Sequence, residues 1–170
     1  MNLAIIGATG LVGEEILKIL SQRNIQLRNL ILVASKKSLG KVISFQKKNF
    51  KLISIEECLE QSIDVAIFSA GKDISLKWAP IFSSKDITVI DNSSAWRMDD
   101  RKKLIIPEIN GNELCENDKI IANPNCSTIQ MLIALAPLHK KYGITRIIVS
   151  TYQSVTGTGR IAILPVPVTD

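Results

Sequence analysis

The sequence predicts an α/β protein built on a mostly parallel, doubly wound sheet, and three observations carry that reading. Short, largely apolar runs recur along the chain: Leu3-Ala4-Ile5-Ile6, Leu30-Ile31-Leu32-Val33-Ala34, Ile63-Asp64-Val65-Ala66-Ile67-Phe68, Ile87-Thr88-Val89-Ile90 and Ile120-Ile121-Ala122. Strands look like this when helices cover both faces of a sheet. Segments of helical character separate the runs, so strand and helix alternate. Finally, the first run empties into a glycine-rich turn followed by a helix, the opening of a Rossmann-like dinucleotide-binding unit.

That turn, Gly7-Ala8-Thr9-Gly10-Leu11-Val12-Gly13, spaces its glycines Gly-x-x-Gly-x-x-Gly. Small residues let the backbone approach a pyrophosphate, which then rests on the N-terminus of the following helix. Gly7, Thr9, Gly10, Leu11, Val12 and Gly13 are therefore candidate cofactor contacts. The helix is expected to bury Val12, Ile16, Ile19 and Leu20 and to leave Glu14, Glu15 and Lys18 in solvent. The second strand should end near the adenosine ribose, where an acidic side chain would favour NAD. The sequence offers Ser35-Lys36-Lys37-Ser38 instead. Ser35, Lys37 and Ser38 suit a 2′-phosphate, so NADP is the expected cofactor; the segment also reads as an ordinary solvated loop.

Further along, Phe45 to Ile55 reads as a strand or hairpin. The run ending at Phe68 exits through Ser69-Ala70-Gly71, where Ser69 and Gly71 let backbone face a ligand at the carboxyl edge of the sheet. A helix from about Ile74 to Phe82 follows, with Pro80 expected to interrupt it or end it early. The run ending at Ala122 leads to Asn123-Pro124-Asn125-Cys126-Ser127-Thr128 and an apolar helix. Cys126 is thus placed at a helix start, where unpaired N–H groups and the helix dipole favour thiolate over thiol. It is the candidate nucleophile, although a cysteine there is as often a packing residue. Ile144 to Ser150 reads as a strand belonging to a second domain, with Gln153 at its end.

The chain has 170 residues, 46% of them apolar, enough for one core and part of a second. Its formal charge is +5, but the basic residues are scattered as pairs between apolar segments, which favours a solvated basic surface over nucleic-acid binding. Three cysteines without paired spacing argue for a reducing compartment, and with a single histidine they form no metal-ligand pattern. No signal-peptide pattern and no apolar run of membrane-spanning length occurs, so a soluble, cytoplasmic protein is expected.

Five motifs in order carry a resemblance: Gly7 to Gly13, Asp91-Asn92-Ser93-Ser94-Ala95-Trp96-Arg97, Pro107-Glu108-Ile109-Asn110, Pro124-Asn125-Cys126-Ser127-Thr128 and Ser150-Thr151-Tyr152-Gln153. Together they resemble the aspartate-β-semialdehyde dehydrogenase family over residues 1 to about 160. The N-acetyl-glutamyl-phosphate reductases share fold and chemistry but typically set the nucleophile in Gly-Cys-Tyr-Pro, so the Cys126 context favours the aspartyl enzymes. The resemblance implies reversible, NADP-dependent conversion of aspartate semialdehyde and phosphate to aspartyl phosphate through a Cys126 thioester. It also implies that Arg97 and Asn125 grip phosphate, that Gln153 orients substrate, and that Asn92 and the second glycine-rich turn, with Thr156 and Gly157, lie at the cofactor. Arg97 also reads as a surface cation near Asp99 and Asp100, and Gln153 as an edge-strand polar residue.

The chain departs from that family in two places. The family's general-base His and substrate-binding Arg lie in its second domain, whereas His139 lies 13 residues beyond Cys126, about 20 Å along one helix. The ending Leu164-Pro165-Val166-Pro167-Val168 resembles a later Pro-Val segment of the family, so the chain is expected to be truncated or internally deleted. The expected organisation is an NADP-binding domain over residues 1–126 and the start of a catalytic and dimerisation domain over 127–170. Family members are dimers or tetramers, and this chain is expected to lack most of the dimerisation domain. A catalytically incomplete NADP-binding fragment is the alternative from a different functional class.

Overall fold

In the computed structural model the described residues are 1–153. Six strands form one parallel sheet in the order β2-β1-β5-β6-β8-β7. They are β1 (Asn2–Ile6), β2 (Asn29–Val33), β5 (Val65–Phe68), β6 (Thr88–Asp91), β7 (Lys103–Leu104) and β8 (Ile120–Ala122). A separate antiparallel hairpin, β3 (Val42–Phe45) with β4 (Lys48–Lys51), fills the region expected to be a strand or hairpin. The helices are α1 (Leu11–Gln22), α2 (Ile55–Leu59), α3 (Lys72–Ser84), α4 (Pro107–Asn110) and α5 (Cys126–Tyr142).

The sheet is wound on both faces, and β1 shows why. Its five residues are all buried, and alternate side chains point to opposite faces. Leu3 and Ile5 join Leu17 and Leu20 of α1, together with Leu30, Leu32, Phe45 and Leu52. Ala4 and Ile6 join Trp78, Ala79 and Phe82 of α3, with Phe68 edge-on to Phe82 at 5.2 Å between ring centroids. Asp64, the charge inside an otherwise apolar run, stands just before β5, where its Oδ2 accepts a hydrogen bond from the backbone N–H of Asn2 at 2.6 Å.

Pairing registers align the carboxyl ends. Ile6 is opposite both Val33 and Phe68, Phe68 is opposite Asp91, and Asp91 is opposite Ala122. The last residues of five strands thus form one row, and the loops beginning at residues 34, 7, 69, 92 and 123 leave the same edge. The connection crosses over on either side of β1, so the crevice lies beyond the ends of β1 and β5.

Three expectations need correction. The buried face of α1 is Gly13, Leu17 and Leu20 with Ile16 half-buried, whereas Val12 and Ile19 are 52% and 40% exposed. Gly13 sets this phase: a Cβ there would lie 2.3 Å from the Gly7 carbonyl oxygen, so only glycine lets the helix press on the turn. Helix α3 runs through Pro80, because Ser75, Trp78, Ala79 and Phe82 bury against the sheet on both sides of it. Their burial outweighs the roughly 3 kcal/mol that an interior proline costs. Finally, Ile144 to Ser150 forms no strand: Ile147, Ile148 and Val149 are 48%, 81% and 53% exposed, and no described strand pairs with them. Thr156, Gly157 and the Leu164 to Val168 segment lie outside the described residues.

The contact at Gly13 can be tested by Gly13→Ala. Alanine gains about 1 kcal/mol of helix propensity, but the new methyl overlaps fixed backbone. Urea unfolding is expected to show a net loss of more than about 1 kcal/mol; unchanged stability would mean that α1 does not rest on the turn as described.

Candidate active site

Backbone geometry at the end of β1 is dictated by space. Gly7 adopts φ +94°, and a Cβ on it would stand 2.9 Å from the carbonyl carbon and oxygen of Ser69. Its N–H and that of Ala8 both donate to the Val33 carbonyl at 3.0 Å, which bends the chain across the end of β2. Gly10 then takes the N-cap position of α1 with no side-chain hydrogen bond to the helix amides. The turn therefore has the shape of an anion cradle: glycine backbone on one side and an uncovered helix start on the other. Thr9, Gly10 and Leu11 are half-buried in it, whereas Val12 faces out.

Neighbouring loops complete this edge. Ser69 turns inward, its N–H and hydroxyl both donating to the Ile6 carbonyl at 2.8 and 3.1 Å. Gly71, with φ +94°, begins α3. Beyond β2, Lys36–Ser38 forms a single 3-10 turn closed by Ser38 N–H donating to the Ser35 carbonyl at 2.8 Å. Ser35 and Lys37 are exposed there, and Lys37 has no ion-pair partner among the described residues.

Cys126 is the first residue of α5, and its thiol is exposed. Asn125 caps the helix: its Oδ1 accepts from the Ser127 N–H at 3.0 Å and the Ser127 hydroxyl at 2.6 Å, and it lies 4.0 Å from the Cys126 sulfur. Gln153 arrives from an irregular segment rather than a strand, and its Nε2 donates to Ser127 Oγ at 3.3 Å and to Thr151 Oγ1 at 3.2 Å. Residues 26 positions apart are thereby joined beside the thiol. Arg97 is half-buried behind the same turn, its Nε donating to the Asn123 carbonyl and its Nη2 to the Asn92 carbonyl, each at 2.9 Å. Asn123 Nδ2 donates to Asn92 Oδ1 at 2.7 Å. Sequence reasoning missed Asn123; a carboxamide directly after an apolar strand and before a proline was the available signal.

Other titratable groups lie elsewhere. His139 is exposed in the last turn of α5, far from the thiol as the helix spacing requires. It borders an apolar groove of about 430 Å³ with Ile109, Leu132 and Leu135. Burial pushes the Cys58 thiol up to about 12, whereas Cys115 is exposed. Hydrogen bonds from Arg101 hold the Asp99 carboxyl down at about 2. Among the described residues no cluster of His, Cys, Asp or Glu could hold a metal ion, and no helix is long and apolar enough to cross a membrane.

A parallel sheet, a glycine turn opening on a bare helix start and a thiol on the same edge define a dinucleotide-binding domain that carries a candidate nucleophile. The chain belongs to the semialdehyde dehydrogenase family through its NAD binding domain, whose family model matches residues 2–117. It is 49% identical over 165 residues to the aspartate-semialdehyde dehydrogenase of Aquifex aeolicus, covering 95% of this chain and 48% of that protein. The Bacillus subtilis enzyme of the same name is 43% identical over 166 residues. The crystal structure of aspartate semialdehyde dehydrogenase II from Vibrio cholerae superposes with a TM-score of 0.88 at 46% identity, over 95% of this chain and 49% of that one, and that enzyme has also been crystallised in complex with ASA. The chain thus spans about half the length of the curated relatives it matches.

The three cysteines should separate by reactivity. A thiol whose pKa is raised stays protonated until pH approaches that value, so native Cys58 should resist alkylation at pH 8 while Cys115 and Cys126 react. Peptide mapping after iodoacetamide, with and without denaturant, checks this; labelling of native Cys58 at the rate of Cys115 would contradict it.

Proposed function

We propose that this chain supplies the cofactor site and the nucleophile of an NADP-dependent aspartate-semialdehyde dehydrogenase. The reaction is the reversible conversion of L-aspartate 4-semialdehyde, phosphate and NADP⁺ to L-4-aspartyl phosphate and NADPH. The observation that carries this reading is the row of strand ends. It sets the glycine turn, the Ser69 loop, the Asn92 loop and the Cys126 turn along one edge, in a chain 49% identical to an enzyme of that name. Residues 1–126 would form the cofactor-binding domain, and residues from 127 onward would begin the catalytic and dimerisation part. The resemblance further supports a cytoplasmic location with no nucleic-acid or membrane partner, in a family whose members are dimers or tetramers.

The cradle fits a dinucleotide because neither Gly7 nor Gly13 tolerates a Cβ and Gly10 leaves the start of α1 uncovered. Gly7, Thr9, Gly10, Leu11, Val12 and Gly13 would hold the pyrophosphate, and Ser69, Gly71 and Asn92 would line its path toward the thiol. Ser35, Lys37 and Ser38 would hold the 2′-phosphate. When bound, the nicotinamide supplies or accepts the hydride.

In the biosynthetic direction the Cys126 sulfur attacks the acyl carbon of aspartyl phosphate. The carbon–sulfur bond forms as the carbon–oxygen bond to phosphate breaks, and reduction of the thioester then releases aldehyde and thiolate. Asn125 and Arg97 would receive the departing phosphate, while Gln153, hydrogen-bonded to Ser127 beside the sulfur, would orient the aspartyl group.

The test is NADPH formation from semialdehyde, phosphate and NADP⁺ in the intact protein. Turnover should require phosphate and fall more than roughly a thousandfold in Cys126→Ala, with NADPH affinity within about twofold of the parent. Turnover that survives the substitution would refute the assignment of the nucleophile. Lys37→Ala should weaken NADPH about fivefold and leave NADH binding unchanged, the size expected of one exposed charge pair. Equal effects on both cofactors would refute the 2′-phosphate site.

A further inference from the structure

Asp91 is fully buried at the end of β6, and one of its carboxylate oxygens, Oδ1, has no hydrogen-bond partner among the described residues. Burying a carboxylate oxygen without a donor is costly, and such a group calls for an explanation in what it holds in place. Its other oxygen, Oδ2, accepts from the Ser93 hydroxyl at 2.7 Å, and that same hydroxyl accepts from the Ala95 N–H at 3.0 Å. Ser93 thereby folds residues 92–95 into a fixed turn.

The far end of the turn is pinned twice. Trp96 Nε1 donates to the hydroxyl of fully buried Ser75 on α3 at 2.9 Å, and Arg97 ties the Asn92 carbonyl to the Asn123 carbonyl. Asn123 is also held by its own N–H to the Asp91 carbonyl at 2.8 Å and by its side chain to Asn92. Asn123 lies three residues before Cys126, and buried Pro124 stiffens the link between them. The hydrogen bonds that hold Asn123, at the entry to the thiol turn, therefore run to residues 91–97.

We propose that Asp91 and Ser93 are positioning residues for Cys126, acting through the Asn92–Arg97–Asn123 frame to hold the thiol turn in place. They need touch neither cofactor nor substrate. Arg97, whose guanidinium is already bonded to two carbonyls, would serve the frame as well as the departing phosphate. This inference rests on Cys126 being the nucleophile proposed above.

The experiment compares Ser93→Ala, Ser93→Thr, Asp91→Ala and Asp91→Asn in the intact protein, reading kcat, KM for NADP⁺ and the rate of Cys126 alkylation by iodoacetamide. Small misplacement of a reacting group costs on the order of tenfold to a hundredfold in rate. Ser93→Ala and Asp91→Ala should therefore lower kcat at least about tenfold and change the alkylation rate at least about threefold, with KM for NADP⁺ within about twofold. Threonine at 93 restores the hydroxyl, and asparagine at 91 keeps an acceptor for it; both should return kcat to within about threefold of the parent. Loss of thermal stability with kcat and alkylation unchanged would overturn the proposal, as would a Ser93→Thr no better than Ser93→Ala. If the parent shows no turnover but Ser93→Ala still alters alkylation, the frame stands and the reaction assigned above falls.

Discussion

A single close approach organises the structure: the carbonyl of Gly7 lies where a side chain on Gly13 would have to be, and Ser69 lies where a side chain on Gly7 would have to be. Three segments meet with no space left for one Cβ. The first contact fixes the rotation of α1, which is why Leu17 and Leu20 face the core and Ile19 does not. The second fixes how closely the loop after β5 lies against the loop after β1. Both follow from residues without side chains, and together they hold the glycine turn, the start of α1 and the Ser69 loop closely against one another.

The same edge joins two pieces of chemistry. Register across β2, β1, β5, β6 and β8 brings the glycine turn and the Cys126 turn into line, though they are separated by more than a hundred residues of sequence. Parallel strands flanked by helices make this possible, because each strand delivers its successor loop to the same side. The two turns are built differently. At Gly7 the backbone is shaped by what cannot fit, while at Cys126 it is held by hydrogen bonds accepted by Asn125 and donated by Arg97 and Asn123. The first suits a ligand bound by shape, and the second suits a group that must keep its position while bonds form and break.

Much of this was legible in the sequence. Apolar runs marked the strands because a doubly covered sheet demands them, and the glycine spacing marked the cradle because the clash it avoids is local. Cys126 at a helix start could be read from Pro124 and Asn125 alone. What could not be read depends on partners distant in sequence. The α1 face was misassigned because Ile19 and Leu17 are equally apolar, and only the Gly13 contact chooses between them. Pro80 was over-weighted because its cost is local, while the burial of Trp78 and Phe82 that offsets it is tertiary. Ile144 to Ser150 has the composition of a strand, but a strand forms only beside another, and none of the described residues supplies it. The links from Gln153 to Ser127 and from Asp91 to Ser93 have no sequence signal beyond hydrogen-bonding residue types.

The central claim is that the thiol at the start of α5 carries the acyl group. The most direct measurement is mass spectrometry of peptides from the intact protein quenched after mixing semialdehyde with NADP⁺ in the absence of phosphate. Without phosphate to release it, the oxidised aspartyl group should accumulate on the peptide containing Cys126 and disappear when phosphate is added before quenching. An adduct on Cys115 or Cys58, or NADPH formed with no adduct on Cys126, would contradict the account.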